Sequence, residues 1–315
     1  MTTPRRPGPG RPDPSPTAVV AERRQLINVA YRLLGSLAEA EDAVQETYAR
    51  WYALPPEQRA SIESPGAWLT TVASRICLDL LGSARARRER YVGEWLPEPL
   101  PEPAGQLGPR PDAAADPADR VTLDESVTMA FLVVLETMSP AERVAFVLHD
   151  VFRYPFAEVA DIVGRSPAAC RQLASSARHR VHGSQPPATP AARRTQAARN
   201  AVLVGNFRRA WEAKDIGALI TLLDPDVTAT ADGGGRVSAV LRPVEGSLQV
   251  ARYLAGIGRR PGLTISERTV NGQPGLIARQ REVTVAVFAF DIAAGAITRI
   301  WVIRNPDKLR PWAGA

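Results

Sequence analysis

The chain has 315 residues, a formal net charge of +6 at pH 7 and a pI near 9.8. Its length allows two or three domains with cores of their own, and its basic balance favours an anionic partner. No apolar run is long enough to cross a bilayer, and the first residues lack the apolar core of a signal peptide. Cys77 and Cys170 lie far apart on apolar helix faces, which is typical of core residues in a reducing compartment. We therefore expect a cytoplasmic protein without a membrane segment, disulfide, metal site or cofactor.

Proline-rich stretches divide the chain into three folded blocks. Seven prolines between residues 92 and 119 exclude helix there and favour an extended spacer. The expected order is a disordered tail over residues 1–17, a helical domain over 18–91, a linker over 92–119, a second helical domain over 120–182, a linker over 183–192 and an α+β domain over 193–309. The linkers are expected to leave the three domains free to move.

The first block is predicted to consist of amphipathic helices with charged surfaces. Ser36 and Glu39 form a capping box for a helix whose buried stripe includes Ala40 and Val44. The exposed surface of this helix carries Glu41, Asp42, Gln45 and Glu46. A further helix begins at Pro65 and ends in arginines at residues 85–90. A charge run is usually a solvated face, but two patches of opposite sign suit two different partners.

Residues 139–182 have the pattern of a helix-turn-helix. Gly164 supplies a turn that needs positive φ, and Ser166-Pro167 begins a new helix. The outer face of that helix carries Arg171, Gln172, Ser175, Arg178 and His179. No acidic residue occurs between Arg165 and Asn200, so this face suits the major groove of DNA. A small bundle with a solvated basic face is the alternative.

The third block changes character along its length. Val202 and Trp211 lie in a predicted helix, and a series of strand-like runs follows after residue 226. Asn271-Gly272 and Ala294-Gly295 are turn signals between these runs. Helices followed by antiparallel strands indicate an α+β domain.

Together, the first two blocks resemble an RNA polymerase sigma factor of the extracytoplasmic-function type. The resemblance rests on the runs Ala38–Thr47, Ser64–Thr70 and Pro155–Ala160 and covers nearly all of residues 18–182. It implies that the acidic helix binds core polymerase, whose β and β′ subunits are the expected partners. It also implies that the helix from Pro65 reads the −10 promoter element and that the helix-turn-helix reads the −35 element.

The resemblance implies a role for individual residues. The expected polymerase contacts are Glu41, Asp42, Gln45 and Glu46. The expected −10 contacts are Trp68, Arg75, Arg85, Arg87 and Arg88, although a tryptophan at a helix start is more often a core residue. The expected −35 contacts are Ser166, Arg171, Gln172, Ser175 and Arg178.

Three further motifs resemble the subgroup with a SnoaL-like C-terminal extension, the sigma-J type. They lie in the linker, in the third block and near the C-terminus, and comprise Trp95, Leu96 and Pro97; Asp232, Gly233, Gly234 and Gly235; and Asn305, Pro306, Asp307, Lys308 and Leu309. The resemblance implies an NTF2-like cone that regulates the sigma regions in cis through these residues, without a dedicated anti-sigma factor. Trp95 in a spacer either docks on another domain or anchors the linker locally.

Two other functions stay open at this point. One is a DNA-binding regulator with a ligand-sensing domain, which leaves the acidic helix unexplained. The other is a SnoaL-like enzyme fused to a DNA-binding module, but all three histidines precede the third block and no paired carboxylates stand out there. We therefore expect no catalysis, whereas the cone is a candidate site for a small apolar ligand.

Overall fold

A computed structural model of the protein describes residues 16–88, 91–101, 128–181, 190–258 and 261–313. The predicted tail and most of both predicted linkers lie outside these ranges. Within them, no helix combines the length and apolar character that a membrane span requires.

Four helices form the first domain. They are α1 (Pro16–Leu34), α2 (Leu37–Ala53), α3 (Pro56–Ser61) and α4 (Pro65–Arg88). Ser36 caps α2 by accepting a hydrogen bond from the backbone of Glu39, as predicted. The short helix α3 begins at Pro56, and proline is favoured at the first helical position because the N–H it lacks would have no partner there.

The second helical unit contains α5 (Met129–Glu136), α6 (Pro140–Phe146), α7 (Phe156–Val163) and α8 (Pro167–Val181). A π-helical turn, Val147–Val151, continues α6. The capping box of Ser139 and Glu142 is present, and Gly164 ends α7 with φ +69°. The sequence pattern of the helix-turn-helix is therefore confirmed at its cap and at its turn.

The two helical units share one hydrophobic core in this structure, and their freedom to move apart stays a prediction. Leu33 and Ala73 of the first unit belong to the same buried cluster as Val147 of the second. The buried Arg143 guanidinium donates hydrogen bonds to the Leu33 carbonyl (2.8 Å) and to Glu136 (2.7 Å). The sequence pattern did not reveal this packing, because each apolar stripe could be buried equally well within its own unit.

The C-terminal domain is α+β: its helices and one six-stranded sheet enclose an interior that we call the cone. Its helices are α9 (Pro190–Glu212), α10 (Ile216–Leu222) and α11 (Ser247–Ile257). Its strands are β1 (Leu223–Asp232), β2 (Val244–Glu245), β3 (Leu263–Val270), β4 (Gln273–Gln280), β5 (Val283–Ala293) and β6 (Ala296–Ile303). The sheet order is β2-β1-β6-β5-β4-β3, with β1 and β6 parallel and the other neighbouring pairs antiparallel.

Both faces of this sheet are buried, which explains the continuous apolar run in β5. Phe288 and Phe290 point toward α9–α11 and fill the interior of the cone with Phe207 and Trp211. The alternate residues of β5 and β6 form a second cluster on the opposite face. That cluster contains Leu96, Met129, Val270, Ile277, Val287, Ala289, Trp301, Ile303, Leu309 and Trp312.

The described part of the first linker, residues 91–101, is packed against the C-terminal domain; we call it the linker segment. Leu96 and Leu100 are 3% exposed, and Pro101 forms a β-bridge with Val270. Trp95 thus docks on another domain, the first of the two readings that the sequence allowed. The boundaries also differ from expectation, because α9 begins at Pro190 and the buried Trp312 extends the last domain past residue 309.

Candidate functional site: three binding surfaces and a linker clasp

Helix α2 presents the predicted polymerase contacts on one surface. Asp42, Gln45 and Glu46 are exposed, whereas Ala43 and Val44 between them are buried. Glu46 pairs with Arg50 one turn later (2.5 Å), an exposed contact that contributes little. Glu41 is half-buried and lines a cleft of about 530 Å³ between α2, the linker segment and the C-terminus. This surface offers carboxylates to a basic partner.

Helix α4 places the predicted −10 residues in different surroundings. Trp68 is half-buried and its ring lies 5.2 Å from that of Trp51, which is a core arrangement. Arg75 is exposed but donates a hydrogen bond to the backbone oxygen of Asp161 on α7 (2.9 Å). The side chains of Arg85, Arg87 and Arg88 lie outside the described part of the structure. Helix α7 therefore covers part of the helix that is predicted to read the −10 element.

Helix α8 exposes most of the predicted −35 contacts. Ser166 caps α8 through the backbone of Ala169 (3.2 Å), and Arg171 lies over the Phe156 ring at 5.5 Å. Gln172 is exposed and Ser175 half-buried. Arg178 is held by Asp150 (2.7 Å), so this guanidinium is already engaged within the domain.

A buried carboxylate at the end of β1 holds the linker segment. Asp232 is fully buried, and its two oxygens accept four hydrogen bonds. Oδ1 accepts from the Tyr91 hydroxyl (2.6 Å) and the Gly234 backbone (3.0 Å). Oδ2 accepts from the Leu96 backbone (3.0 Å) and from Lys308 Nζ (2.7 Å). Asp232 thus joins the linker to the C-terminal motif.

Lys308 closes this clasp from the other side. Its ammonium group pairs with Asp232, donates to the Leu96 carbonyl and lies 4.0 Å from the centroid of the Trp95 ring. The residue is 8% exposed. Removing one member of such a buried pair leaves the other charge unpaired, at a cost of about 3–5 kcal/mol.

Asn305 and Gly234 complete the site. Asn305 Nδ2 donates to the Tyr91 hydroxyl (2.9 Å). Gly234 has φ +64°, and a Cβ there would lie 2.5 Å from Asn305 Nδ2. Glycine is therefore required at this position both by the backbone and by the close approach of Asn305. Burial, followed by the Asp232 hydrogen bond and charge, raises the pKa of Tyr91, so its hydroxyl keeps the proton that it donates.

We use the name linker clasp for the contacts of Asp232, Asn305 and Lys308 with Tyr91, Trp95 and Leu96. The clasp brings together the three motifs for which a regulatory role was predicted. Pro97 and Leu309 are buried beside it, and Gly233 lies in the tight turn after Asp232. Outside the clasp lie three more exposed residues of these motifs, Gly235, Pro306 and Asp307. Asp307 pairs instead with Arg236 (3.2 Å).

Sequence reasoning missed two members of this site. Tyr91 was assigned to the first helical domain, and Trp312 lies beyond the expected end of the last one. Trp312 donates from its indole nitrogen to the Pro99 carbonyl (2.9 Å). Aromatic residues beside glycine- and proline-rich boundaries were the available signal. Among the described residues, no cluster of three or more His, Cys, Asp or Glu side chains has the arrangement of a metal site.

Comparisons with known proteins identify the family of this chain. Residues 18–87 match the family described as Sigma-70 region 2, and residues 128–181 match Sigma-70, region 4. The ECF RNA polymerase sigma factor SigJ of Mycobacterium tuberculosis is 42% identical over 299 residues, covering 91% of each chain. Probable ECF RNA polymerase sigma factor SigI of the same species is 35% identical over 95% of this chain and 96% of its own. The crystal structure of M. tuberculosis SigJ is similar with a TM-score of 0.70 and 38% identity, over 94% of this chain and 98% of that chain.

A more distant similarity involves a regulated sigma factor. RpoE from Bartonella quintana, solved in complex with the anti-sigma factor NepR, is 20% identical over 53% of this chain and 93% of that chain, with a TM-score of 0.36. The expectation that no dedicated anti-sigma factor acts on this chain stays a prediction.

Proposed function

Because the chain belongs to the extracytoplasmic-function (ECF) RNA polymerase sigma factors, we propose that its C-terminal domain regulates it in cis by holding the two sigma regions closed. As a sigma factor it directs core RNA polymerase to promoter DNA for transcription initiation. In this proposal α2 binds the polymerase, α4 reads the −10 element and α8 reads the −35 element. The protein acts in the cytoplasm, where polymerase and chromosome meet.

The observation that supports closure is the shared core of the two sigma regions. The −10 and −35 elements are centred about 25 base pairs apart, which is roughly 80 Å along B-form DNA. Two units that share a core, with Arg75 of α4 bonded to Asp161 of α7, are in direct contact. Reading both elements at once therefore requires these units to separate.

The linker clasp supports a role for the C-terminal domain in this closure. The linker segment is the chain that would have to extend when the sigma regions separate. It is held by Asp232, Asn305 and Lys308, all less than 10% exposed. Met129 of α5 also packs on the outer face of the C-terminal sheet. The C-terminal domain thus contacts the linker segment and α5, and the linker segment in turn bonds to α1.

We propose no catalytic role for the cone. Aromatic side chains fill its interior, with Trp211 and Phe288 packed edge-to-face at 5.0 Å. The curated relatives are named as sigma factors. A small apolar ligand in the cone stays a prediction, and it would have to displace these rings.

Transcription by a single-residue variant tests the proposal. The chain contains two lysines, the buried Lys308 and the exposed Lys214, which gives a matched control. Lys308→Met should raise transcription by reconstituted holoenzyme, because it leaves Asp232 unpaired and frees the linker segment. Lys214→Met should leave transcription unchanged.

Two outcomes separate regulation from damage. Unchanged or lower transcription by a Lys308→Met protein whose circular dichroism matches the parent would contradict regulation by closure. Asp232→Asn combined with Lys308→Met leaves no unpaired buried charge, but it still removes the contacts of Lys308 with Trp95 and Leu96. Raised transcription by this variant too would show that loss of those contacts, and not damage by an unpaired carboxylate, releases the linker segment.

A further inference from the structure

A second buried connection links the C-terminal domain to the polymerase-binding helix through residues outside the linker clasp. It is a chain of hydrogen bonds that starts at Asn271, in the turn between β3 and β4. It continues through Tyr31 of α1 and Glu98 of the linker segment to Leu37, the first residue of α2. None of these residues belongs to the three binding surfaces described above.

Asn271 acts as a hook from the C-terminal domain. It has φ +50° and Gly272 has φ +71°, the conformation of a tight hairpin turn. Its side chain is 3% exposed, accepts from the Leu100 backbone (3.1 Å) and donates to the Tyr31 hydroxyl (3.0 Å). Its backbone N–H also donates to the Leu100 carbonyl (2.9 Å). The turn therefore holds the linker and α1 together.

Tyr31 connects Asn271 to Glu98 through its hydroxyl group. The tyrosine is fully buried, and its hydroxyl donates to the Glu98 carbonyl oxygen (2.6 Å) while accepting from Asn271. Burial raises the pKa of Tyr31, so the hydroxyl stays protonated and remains a donor. One oxygen atom thus joins three parts of the chain.

The backbone N–H and the carboxylate of Glu98 form hydrogen bonds with the corner between α1 and α2. Its backbone N–H donates to the Gly35 carbonyl (2.8 Å). Its carboxylate accepts from the Leu37 backbone (2.8 Å) and from the Ser36 hydroxyl (3.2 Å). Burial raises the pKa of Glu98, while the hydrogen bonds from Leu37 and Ser36 act in the opposite direction. A carboxylate at this place stabilises the helix start, because the first N–H groups of a helix have no acceptor within it.

We propose that Glu98 is a positioning residue that caps the polymerase-binding helix α2 from the linker, and that Tyr31 and Asn271 hold it there while the C-terminal domain is docked. The assignment of α2 to polymerase binding rests on the proposed function. When the linker segment leaves, α2 loses this cap together with the anchor of the linker. Docking of the C-terminal domain and order at the start of α2 are therefore coupled.

Amide hydrogen exchange of Leu37 in the full-length chain tests this coupling without polymerase. Leu37 has no acceptor within its own helix, so its protection reports the Glu98 carboxylate. Glu98→Gln, Tyr31→Phe and Asn271→Ala should each lower that protection, by about ten- to a hundredfold if the hydrogen bond from Leu37 to the charged carboxylate is lost. Tyr31→Phe combined with Asn271→Ala should lower it no further than either change alone, since both act on one chain of bonds.

Matched controls exclude general loosening of the fold. Glu94→Gln changes an exposed carboxylate of the same segment, and Tyr48→Phe removes a buried hydroxyl that has no partner among the described residues. Both should leave Leu37 protected. Unchanged Leu37 exchange in Tyr31→Phe, or additive losses in the double variant, would overturn the coupling. The assignment of α2 to polymerase binding is tested separately, with variants of the exposed α2 surface and their affinity for core polymerase. Failure of that assignment would not alter the exchange result.

Discussion

Glycine is required at residue 234 both by its positive φ and by the close approach of Asn305, and the second reason can be tested separately from the first. Gly234 and Gly295 both have positive φ, so alanine costs a similar backbone strain of about 1 kcal/mol at each. Only Gly234 has a close neighbour, Asn305, whereas a Cβ on Gly295 would meet nothing within 4 Å. Comparing the two positions isolates the contact with Asn305.

Gly234→Ala should therefore displace Asn305 from the Tyr91 hydroxyl and loosen the linker segment. We expect limited proteolysis to cut this segment several times faster than in the parent chain. Gly295→Ala should match the parent in the same assay while losing a similar amount of thermal stability. Equal protease resistance of the Gly234→Ala and Gly295→Ala chains would show that Asn305 does not hold the linker.

At the scale of single elements, α2 has a buried stripe and an exposed acidic surface that can be changed independently. Asp42→Arg with Glu46→Arg should abolish co-purification with core polymerase, because both carboxylates are exposed and face the expected basic partner. Helical circular dichroism should be unchanged. Glu57→Arg on α3 is the matched control, and it should bind as the parent does. Retained binding by the double variant would remove α2 from the docking assignment.

The position of Arg171 on α8 predicts a role in reading the sequence of the −35 element. Arg171 is exposed near the N-terminal end of α8, where a helix-turn-helix reads bases. Arg171→Ala should weaken binding to the −35 element by about 1–3 kcal/mol if it contacts a guanine. Footprinting of holoenzyme on altered promoters measures this effect, with Arg242→Ala as the control. Equal weakening on all sequences would identify a phosphate contact instead.

The individual elements were largely predictable because their signals are local. The cap at Ser36, the turn at Gly164 and the strand-like runs of the last domain each depend on a few neighbouring residues. The family resemblance also pointed to Trp95, Leu96, Asp232, Asn305 and Lys308 of the linker clasp, but not to Tyr91. Their common meeting point was not predictable from spacing, since Tyr91 and Asp232 are separated by 141 positions. Proline-rich composition indicated a mobile spacer, but its described part, residues 91–101, packs against a buried face of the sheet.

At the scale of the whole molecule, the structure holds in contact the sigma regions that the proposed function separates during promoter recognition. The sigma regions share a core, and the linker segment is enclosed by the clasp and by the Asn271 turn. These contacts bury Lys308 beneath Trp95 and the Leu96 carbonyl, whereas Lys214 remains exposed at the end of α9. The exposure of Lys308 therefore reports whether the linker segment is docked.

Acylation of the two lysines, read by mass spectrometry, tests closure most directly. In the free chain an amine-reactive reagent should modify Lys214 rapidly and leave Lys308 protected. In holoenzyme bound to a promoter, Lys308 should become reactive while Lys214 keeps its rate, because the linker segment has left the clasp. A Lys308 that reacts as fast as Lys214 in the free chain, or stays protected in transcribing holoenzyme, would contradict the account.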